Sequence, residues 1–387
     1  MRLPKILALI LAVVSCPLFA YAQEGSSAEP SIDDRPLDLA ARQSPWGRWN
    51  IDMTDHDRVY AIGPLARAIS VTDPSSNILL GIIYLEAGSG REGVQHPSRT
   101  SFSPTFGYAP NGRTLAIASE ASNSVTFLDT RSNSVVYTAA YDDPPAGVTY
   151  SPNGKEVWIP VRGKNYVSIF DAKGFAEMAR IPMPIEPGPT VISNNGRYAY
   201  VCSGSGSQTT IIDVAKHAIV ASVSESGFPC TSIAASPDGR QIWLTSEGAG
   251  KAFAFSAKPP FKALRSVDTG PRTSHVSFVS NDDGQFAYVS VGSSNAVKVF
   301  DTQSFKNVAT IRVGASPSGL WPSGDGSRMY VALNESGAIA VIDTATMKYV
   351  DLVTVDQAVQ AVVYVPNAVR SVQDNPHVEA SPTSEAR

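Results

Sequence analysis

Apolar and polar side chains alternate along short stretches of this chain with a period of two residues, not the 3.6 residues of a helix. In five of these stretches both alternating sets are largely apolar, which is typical of β-strands buried on both faces. The stretches read VWIPV (157–161), AYVCS (199–203), IWLTS (242–246), AYVSV (287–291) and MYVAL (329–333). The pattern predicts an all-β protein whose sheets are covered on both sides.

Each alternating stretch belongs to a longer unit that repeats along the chain. A unit has a turn glycine, a strand with an aromatic residue, a polar loop, a strand that ends near an aspartate, and a last apolar strand. The turn glycines are 42 to 45 residues apart, at Gly112, Gly154, Gly196, Gly239, Gly284 and Gly326. The strand ends fall at Asp73, Asp129, Asp171, Asp213, Ser256, Asp301 and Asp343. A period in the low forties with four short strands per unit is typical of β-propeller blades.

The two ends of the repeat region each supply part of one unit. Residues 361–369 (AVVYVPNAV) read as a first strand with no later strands after it, and residues 57–73 (DRVYAIGPLARAISVTD) read as later strands with no first strand. We expect both segments to share one composite blade. The fold prediction is therefore a ring of seven four-stranded antiparallel blades over residues 51–369. The composite blade closes this ring and covers the strand edges that an open ring would expose at its two ends.

An aromatic residue recurs at the fourth position after the turn glycine. The series is Trp158, Tyr200, Trp243, Tyr288 and Tyr330, and Ala116 interrupts it. Blades are wedges that widen outward, and aromatic rings fill the space between them. We expect this series to form the core rather than a platform on which ligands stack.

The N-terminus reads as an export signal. Arg2 and Lys5 precede the apolar residues 6–14, and Ala20-Tyr21-Ala22 before Gln23 fits the small-x-small cleavage pattern. We expect a signal peptide over residues 1–22 and a periplasmic or secreted protein.

A lipid anchor is the alternative, because Val13-Val14-Ser15-Cys16 resembles a lipobox, although Pro17 directly after the cysteine disfavours it. Residues 23–50 are rich in Ser, Pro and Asp and are expected to form a mobile linker. The polar residues 370–387 are expected to form a disordered tail.

Composition and motifs argue against a nucleic-acid partner, a membrane span and a bound cofactor. Only 17% of the residues are charged, the formal net charge is −4, and no basic run is visible, so we expect no nucleic-acid partner. Beyond the signal, no apolar stretch reaches the eighteen residues that span a bilayer. Local metal or haem motifs such as His-x-His and Cys-x-x-Cys-His are missing, so no cofactor is predicted. The sequence does not indicate an oligomeric state.

Two cysteines remain after the expected cleavage, Cys202 and Cys230. Their register places both at the same end of neighbouring blades, which permits a disulfide in an exported protein. Such a bond closes a loop of 28 residues, which is worth about 3–4 kcal/mol in the chain-entropy model. Two small buried thiols that never pair are the alternative.

The units resemble those of the YVTN-repeat β-propellers, the YncE-like family of exported bacterial proteins. The residues that carry the resemblance are Ser236-Pro237-Asp238-Gly239, Tyr330-Val331-Ala332 and Val341-Ile342-Asp343. The final Asn of the family's YVAN segment is replaced here, for example by Leu333. The resemblance implies the fold, whereas the family's functions include binding proteins, redox subunits and lactonases.

Propellers usually bind at one end of the central channel, where loops of all blades converge. In the register above, that end receives the last residue of each second strand and the start of each first strand. Charged and polar side chains of both signs fall there, and their guanidinium groups suit a carboxylate or phosphate. Paired or solvated loop charges are the alternative for each residue. The candidate ligand-binding residues are His96, Arg99, Glu120, Arg162, Glu247, Arg272, His275, Asn334 and Glu335.

One unit is longer than the others. Asp73 and Asp129 are 56 residues apart, 14 more than the usual spacing, and the extra residues contain His96 and Arg99. Insertions in a repeat protein fall in loops and often on the binding face. A tolerated surface insertion is the alternative, because loop length costs little entropy.

Because the repeat is strong and no complete catalytic constellation is visible, the leading hypothesis is a non-enzymatic binding or scaffold protein for a protein, peptide or small polar ligand. The first alternative is a periplasmic redox subunit or a protein that handles a haem or quinone-type cofactor. The second is a lactonase-type hydrolase with a divalent cation, because Gly270–His275 (GPRTSH) resembles the GPRH segment of lactonase propellers.

Overall fold

The computed structural model describes residues 56–64, 67–85, 104–224, 228–355 and 357–369, and the backbone of Glu379–Ala380. The expected signal peptide, the linker and Cys16 lie outside the described residues, as does most of the tail. The described part of the chain contains no helix that could span a bilayer.

The described strands form seven sheets, which confirms the predicted seven-bladed β-propeller of four-stranded antiparallel blades. Every inner strand contacts the inner strands of the two neighbouring blades, so the ring is closed around a central channel. In the order of blades 1 to 7, the inner strands are Thr105–Tyr108, Thr149–Tyr150, Pro187–Ile192, Ser232–Ala235, Thr273–Asn281, Pro317–Pro322 and Ala361–Val365.

Three further strands follow outward in each blade. In the same order, the second strands are Thr114–Ser119, Glu156–Val161, Tyr198–Ser203, Gln241–Ser246, Gly284–Val291, Arg328–Leu333 and Arg58–Ile62. The third strands are Ser124–Asp129, Tyr166–Asp171, Gln208–Asp213, Lys251–Ser256, Ala296–Asp301, Ala338–Asp343 and Ala68–Asp73. The outer strands are Ser134–Ala140, Glu177–Pro182, Ala218–Ser224, Ala263–Asp268, Asn307–Arg312, Lys348–Thr354 and Ile78–Tyr84. One 3-10 turn, Gly292–Ser294, follows the second strand of blade 5.

Every third strand ends at the residue that the repeat predicts. The terminal side chain accepts a hydrogen bond from a backbone N–H of the turn that follows, as Asp213 does from Lys216 and Asp301 does from Ser304. In blade 4 the hydroxyl of Ser256 accepts from the Lys258 N–H instead. The repeated aspartate therefore holds the turn from the third to the outer strand.

Blade 7 is the composite blade that the sequence predicts. Its inner strand comes from residues 361–365, and it pairs antiparallel with residues 58–62, with Tyr60 opposite Val363. The remaining two strands follow from the N-terminal part of the chain. The closure is confirmed, and it consists of main-chain pairing between the first and last strands of the ring.

The aromatic series lies between the blades, as predicted. Trp158 and Trp243 are fully buried, as are the tyrosines of the series. In blade 1 the small Ala116 takes the aromatic position of the series. It lies opposite Phe127 on the third strand, which supplies an aromatic ring instead. That ring is fully buried and packs on Phe175 of blade 2, with 4.6 Å between ring centroids.

Two further features are a disulfide between neighbouring blades and a short strand in the C-terminal tail. The structure joins Cys202 and Cys230 by a disulfide, with 6.0 Å between their Cα atoms, so blades 3 and 4 are linked covalently. Within the tail that was expected to be disordered, the structure places Glu379–Ala380 in a short strand at the outer edge of blade 7.

Candidate functional site

One end of the ring, which we call the mouth, is defined by a main-chain hydrogen bond that recurs around it. The residue after a second strand donates its N–H to a carbonyl just before the inner strand of the same blade. The pairs are Arg162 to Pro144 at 3.0 Å, Gly204 to Glu186 at 3.0 Å, Gly292 to Arg272 at 2.9 Å and Asn334 to Ser316 at 3.1 Å. These bonds bring the two sets of loops together at one surface.

A first charged cluster joins blades 1, 2 and 3 at the mouth. Arg162 lies between two carboxylates: its Nη2 is 3.2 Å from Glu120 Oε1, and its Nε is 4.0 Å from Glu186 Oε1. The side chain of Glu120 is only 7% exposed, whereas Arg162 is 25% exposed. We call these three residues the blade 1–3 cluster.

Burial shifts the pKa of Glu120, one of the two carboxylates of the blade 1–3 cluster. Desolvation raises the pKa of Glu120 above its ordinary value; Arg162 opposes that rise and Glu186 adds to it. Gly204 lies next to the Arg162 guanidinium, because a Cβ on Gly204 would be 3.6 Å from its Nε, at van der Waals contact. That Nε is buried and has no hydrogen-bond partner among the described residues; its nearest carboxylate, Glu186, is 4.0 Å away.

A second cluster joins blades 5 and 6. Arg272 Nη2 donates a hydrogen bond of 2.8 Å to Ser316 Oγ and lies 3.5 Å from Glu335 Oε1. The backbone of Arg272 is left-handed, with φ at 57°, and its side chain packs on Gly292. Both charged side chains are more than half exposed. We call these three residues the blade 5–6 cluster; its guanidinium faces solvent more than that of Arg162.

His275 does not join either cluster. It lies on the inner strand of blade 5, where its Nδ1 is 3.0 Å from Ser274 Oγ and its backbone N–H donates to Ser290 Oγ. Burial lowers the pKa of His275 to about 4, so the ring is neutral at pH 7. Arg272 bonds Ser316, whereas His275 bonds Ser274, so the two residues of the lactonase-like segment have different side-chain partners.

The other candidates are more scattered. Asn334 is beside the blade 5–6 cluster, because its N–H bonds the carbonyl of Ser316. Glu247 is at the mouth of blade 4, with its backbone N–H bonded to Thr231 Oγ1 and its side chain exposed. His96 and Arg99 lie outside the described residues.

Sequence reasoning missed Glu186 and Ser316, which complete the two clusters. Each directly precedes a proline that begins an inner strand, at Pro187 and Pro317. The available signal was a polar residue directly before the proline that begins a first strand. Ser316 departs from the extended backbone usual before proline, because its φ is 54°.

No three His, Cys, Asp or Glu side chains of the described ranges come together in a group that could hold a metal ion. The chemistry of the mouth, within those ranges, is that of ion pairs and hydrogen-bond donors and acceptors on a rigid ring.

Comparison with known proteins agrees with the fold. The model of the YncE-like β-propeller family matches residues 99–370. None of the curated proteins matches the chain.

Among solved structures, a chain of Kuenenia stuttgartiensis hydrazine synthase superposes with a TM-score of 0.60 at 18% identity, over 72% of this chain and 94% of that chain. A functionally unknown protein from Desulfotomaculum acetoxidans DSM 771 superposes with a TM-score of 0.64 at 15% identity, over 80% and 99% of the two chains. At these identities the likeness shows the fold alone.

Proposed function

The chain belongs to the YncE-like β-propeller family, and on that premise we propose that it is an exported, non-enzymatic protein that binds a polar ligand or partner at its mouth. The observation that carries the proposal is the pair of charged clusters at one end of the ring. Each crosses a boundary between blades, so each position depends on the closed ring rather than on a single loop.

The two clusters suit a ligand with acceptor groups. A guanidinium presents a fork of N–H donors that fits a carboxylate or phosphate. Arg272 is more than half exposed, so it can exchange Glu335 for a ligand, and the side chain of Arg162 is 25% exposed. We propose a peptide or a small polar molecule with a carboxylate or another strong acceptor.

Rigidity supports binding without a large rearrangement. The mouth loops are tied by main-chain hydrogen bonds to the inner strands, and the inner strands contact one another around the ring. A pre-ordered loop loses little entropy when a ligand binds, which favours affinity.

The proposed binding site is tested by comparing variants that remove charge at the mouth with one that removes charge at the opposite end of the ring. The full chain is immobilised and exposed to an extract of cells that carry its gene, and bound proteins and small molecules are quantified by mass spectrometry. The mouth variants are Arg272→Gln and the double change Glu120→Gln with Arg162→Gln. Arg240→Gln is the control, because Arg240 lies in an exposed turn at the opposite end of the ring.

We expect species that the wild type and Arg240→Gln retain but the mouth variants lose. Equal retention by all variants, or none by the wild type, overturns the proposed site. A new absorption band on adding haem or a quinone would favour the redox alternative instead. Lactone turnover that depends on a divalent cation would favour the hydrolase.

Export is tested separately in a bacterial host. The intact mass of the protein in the periplasmic or secreted fraction should correspond to a chain that begins at Gln23. A full-length chain confined to the cytoplasm contradicts export, and a lipid-modified Cys16 favours the anchored form.

A further inference from the structure

The outer strand of every propeller blade has an edge whose N–H and C=O groups face away from the sheet. Among the described residues, only blade 7 has a fifth strand on this edge. That strand is Glu379–Ala380, which pairs antiparallel with the outer strand Ile78–Tyr84: Glu379 lies opposite Ile82, and Ala380 lies opposite Gly81.

The same outer strand carries the two most exposed large apolar side chains of the described residues. Ile78 is 60% exposed and Tyr84 is 61% exposed, and they stand at its two ends. An exposed edge strand with apolar side chains readily pairs with another extended segment, and natural proteins usually protect such edges. Blade 7 therefore offers an extended segment both main-chain groups and apolar contacts.

We propose that this edge is a strand-addition site whose resident ligand is the chain's own C-terminal segment. Recognition rests on main-chain hydrogen bonds, as in other cases of β-augmentation, and so places few demands on the side chains of the segment. Pro376 and Pro382 flank the paired residues, and since proline has no N–H, they limit the length that can pair.

The site is independent of the mouth, because it lies on the outermost strand of blade 7, whereas the mouth clusters lie in loops of blades 1 to 3 and 5 to 6. Its failure would leave the proposed function intact, and the reverse also holds.

The test uses the chain with a stop codon after Arg370, which keeps the closing strand and removes the tail. Hydrogen exchange followed by mass spectrometry should show amides of residues 78–84 exchanging about tenfold faster than in the full chain. The outer strand of blade 5, Asn307–Arg312, is the internal control and should not change. A synthetic peptide of residues 371–387, added in trans, should restore the slow exchange.

Two peptide variants separate main-chain recognition from side-chain recognition. A peptide with Glu379→Pro and Ala380→Pro should not restore protection, because both N–H groups are lost. A control peptide with Glu379→Ala and Ala380→Ser should restore it as well as the natural sequence does. Unchanged exchange at residues 78–84 after truncation, or equal protection by the proline peptide, overturns the proposal.

Discussion

The hydroxyl of Tyr364, on the last inner strand of the ring, donates a hydrogen bond to the carboxylate of Asp57, which directly precedes the first strand. The two residues are 307 positions apart. Asp57 also accepts the backbone N–H of Asn367 at 2.7 Å, and both side chains of the Tyr364–Asp57 pair are buried. The chain therefore closes its ring with a polar contact in addition to the pairing of strands.

Tyr364→Phe should lower the free energy of unfolding by about 1–3 kcal/mol, because it removes one of the hydrogen-bond donors to the buried Asp57 carboxylate. Tyr60→Phe is the matched control in the same blade. The Tyr60 hydroxyl is buried and has no hydrogen-bond partner within the described part of the chain, so its removal should cost little or stabilise the protein. Chemical denaturation of both variants measures the difference. Equal losses in the two variants would show that the Tyr364–Asp57 contact contributes nothing specific.

Arg162→Gln should destabilise the protein by about 1–2 kcal/mol, since it leaves the Glu120 carboxylate buried and unpaired. The double change of Glu120→Gln with Arg162→Gln should recover most of that loss.

Burial raises the pKa of Glu120, so protonation is favoured in the folded state. The contribution of Glu120 to stability therefore improves as the pH falls from neutral towards 4.5. Denaturant titrations at several pH values check this. A double variant as unstable as Arg162→Gln would contradict the pairing.

The stability of the wild type should fall relative to His275→Gln as the pH drops from about 6.5 to about 4. Burial lowers the pKa of His275 to about 4, so in this window the unfolded chain takes up a proton and the folded chain does not. Judged by its exposed surface, His275 is only partly buried, which screens the effect, and we expect a difference of about 1–2 kcal/mol across the window. Unfolding curves of the two proteins that stay parallel with pH would contradict a neutral His275.

Replacement of both Cys202 and Cys230 by alanine should lower the free energy of unfolding by about 2–4 kcal/mol, because the disulfide restricts the unfolded chain. Treatment of the wild type with a reductant in denaturant, followed by refolding under reducing conditions, should give a similar loss. Mass spectrometry of the alkylated protein reports whether the bond is present. A protein that takes up two alkyl groups without reduction would show free thiols instead.

Most of the fold could be read from the sequence because the repeat is a local signal that recurs. The third strands end where Asp213 and its equivalents predict, and the closing strand was visible as an isolated copy of a first strand. Even the irregular Ala116 follows from packing: the large side chain moves to Phe127 on the adjacent strand, which keeps the volume between the blades filled.

The site was harder to predict because side-chain partners at the mouth come from different blades. The repeat shows that Glu120 and Arg162 end equivalent strands, but not that Arg162 reaches back across the blade boundary. Arg272 and His275 are close in sequence, yet Arg272 has a left-handed backbone and bonds Ser316, whereas His275 bonds Ser274. Such local geometry has no periodic signal.

The most direct test of the account is the thermal unfolding of two truncated chains, because the mouth exists only if the ring closes. A stop after Gln357 removes the inner strand of the composite blade, whereas a stop after Arg370 keeps it. If the last strand closes the ring, the first protein should melt more than about 10 °C below the full chain, or lose its cooperative transition, while the second should melt within a few degrees of it. Equal melting of the two truncated proteins would contradict closure by the last strand, and with it the shared mouth.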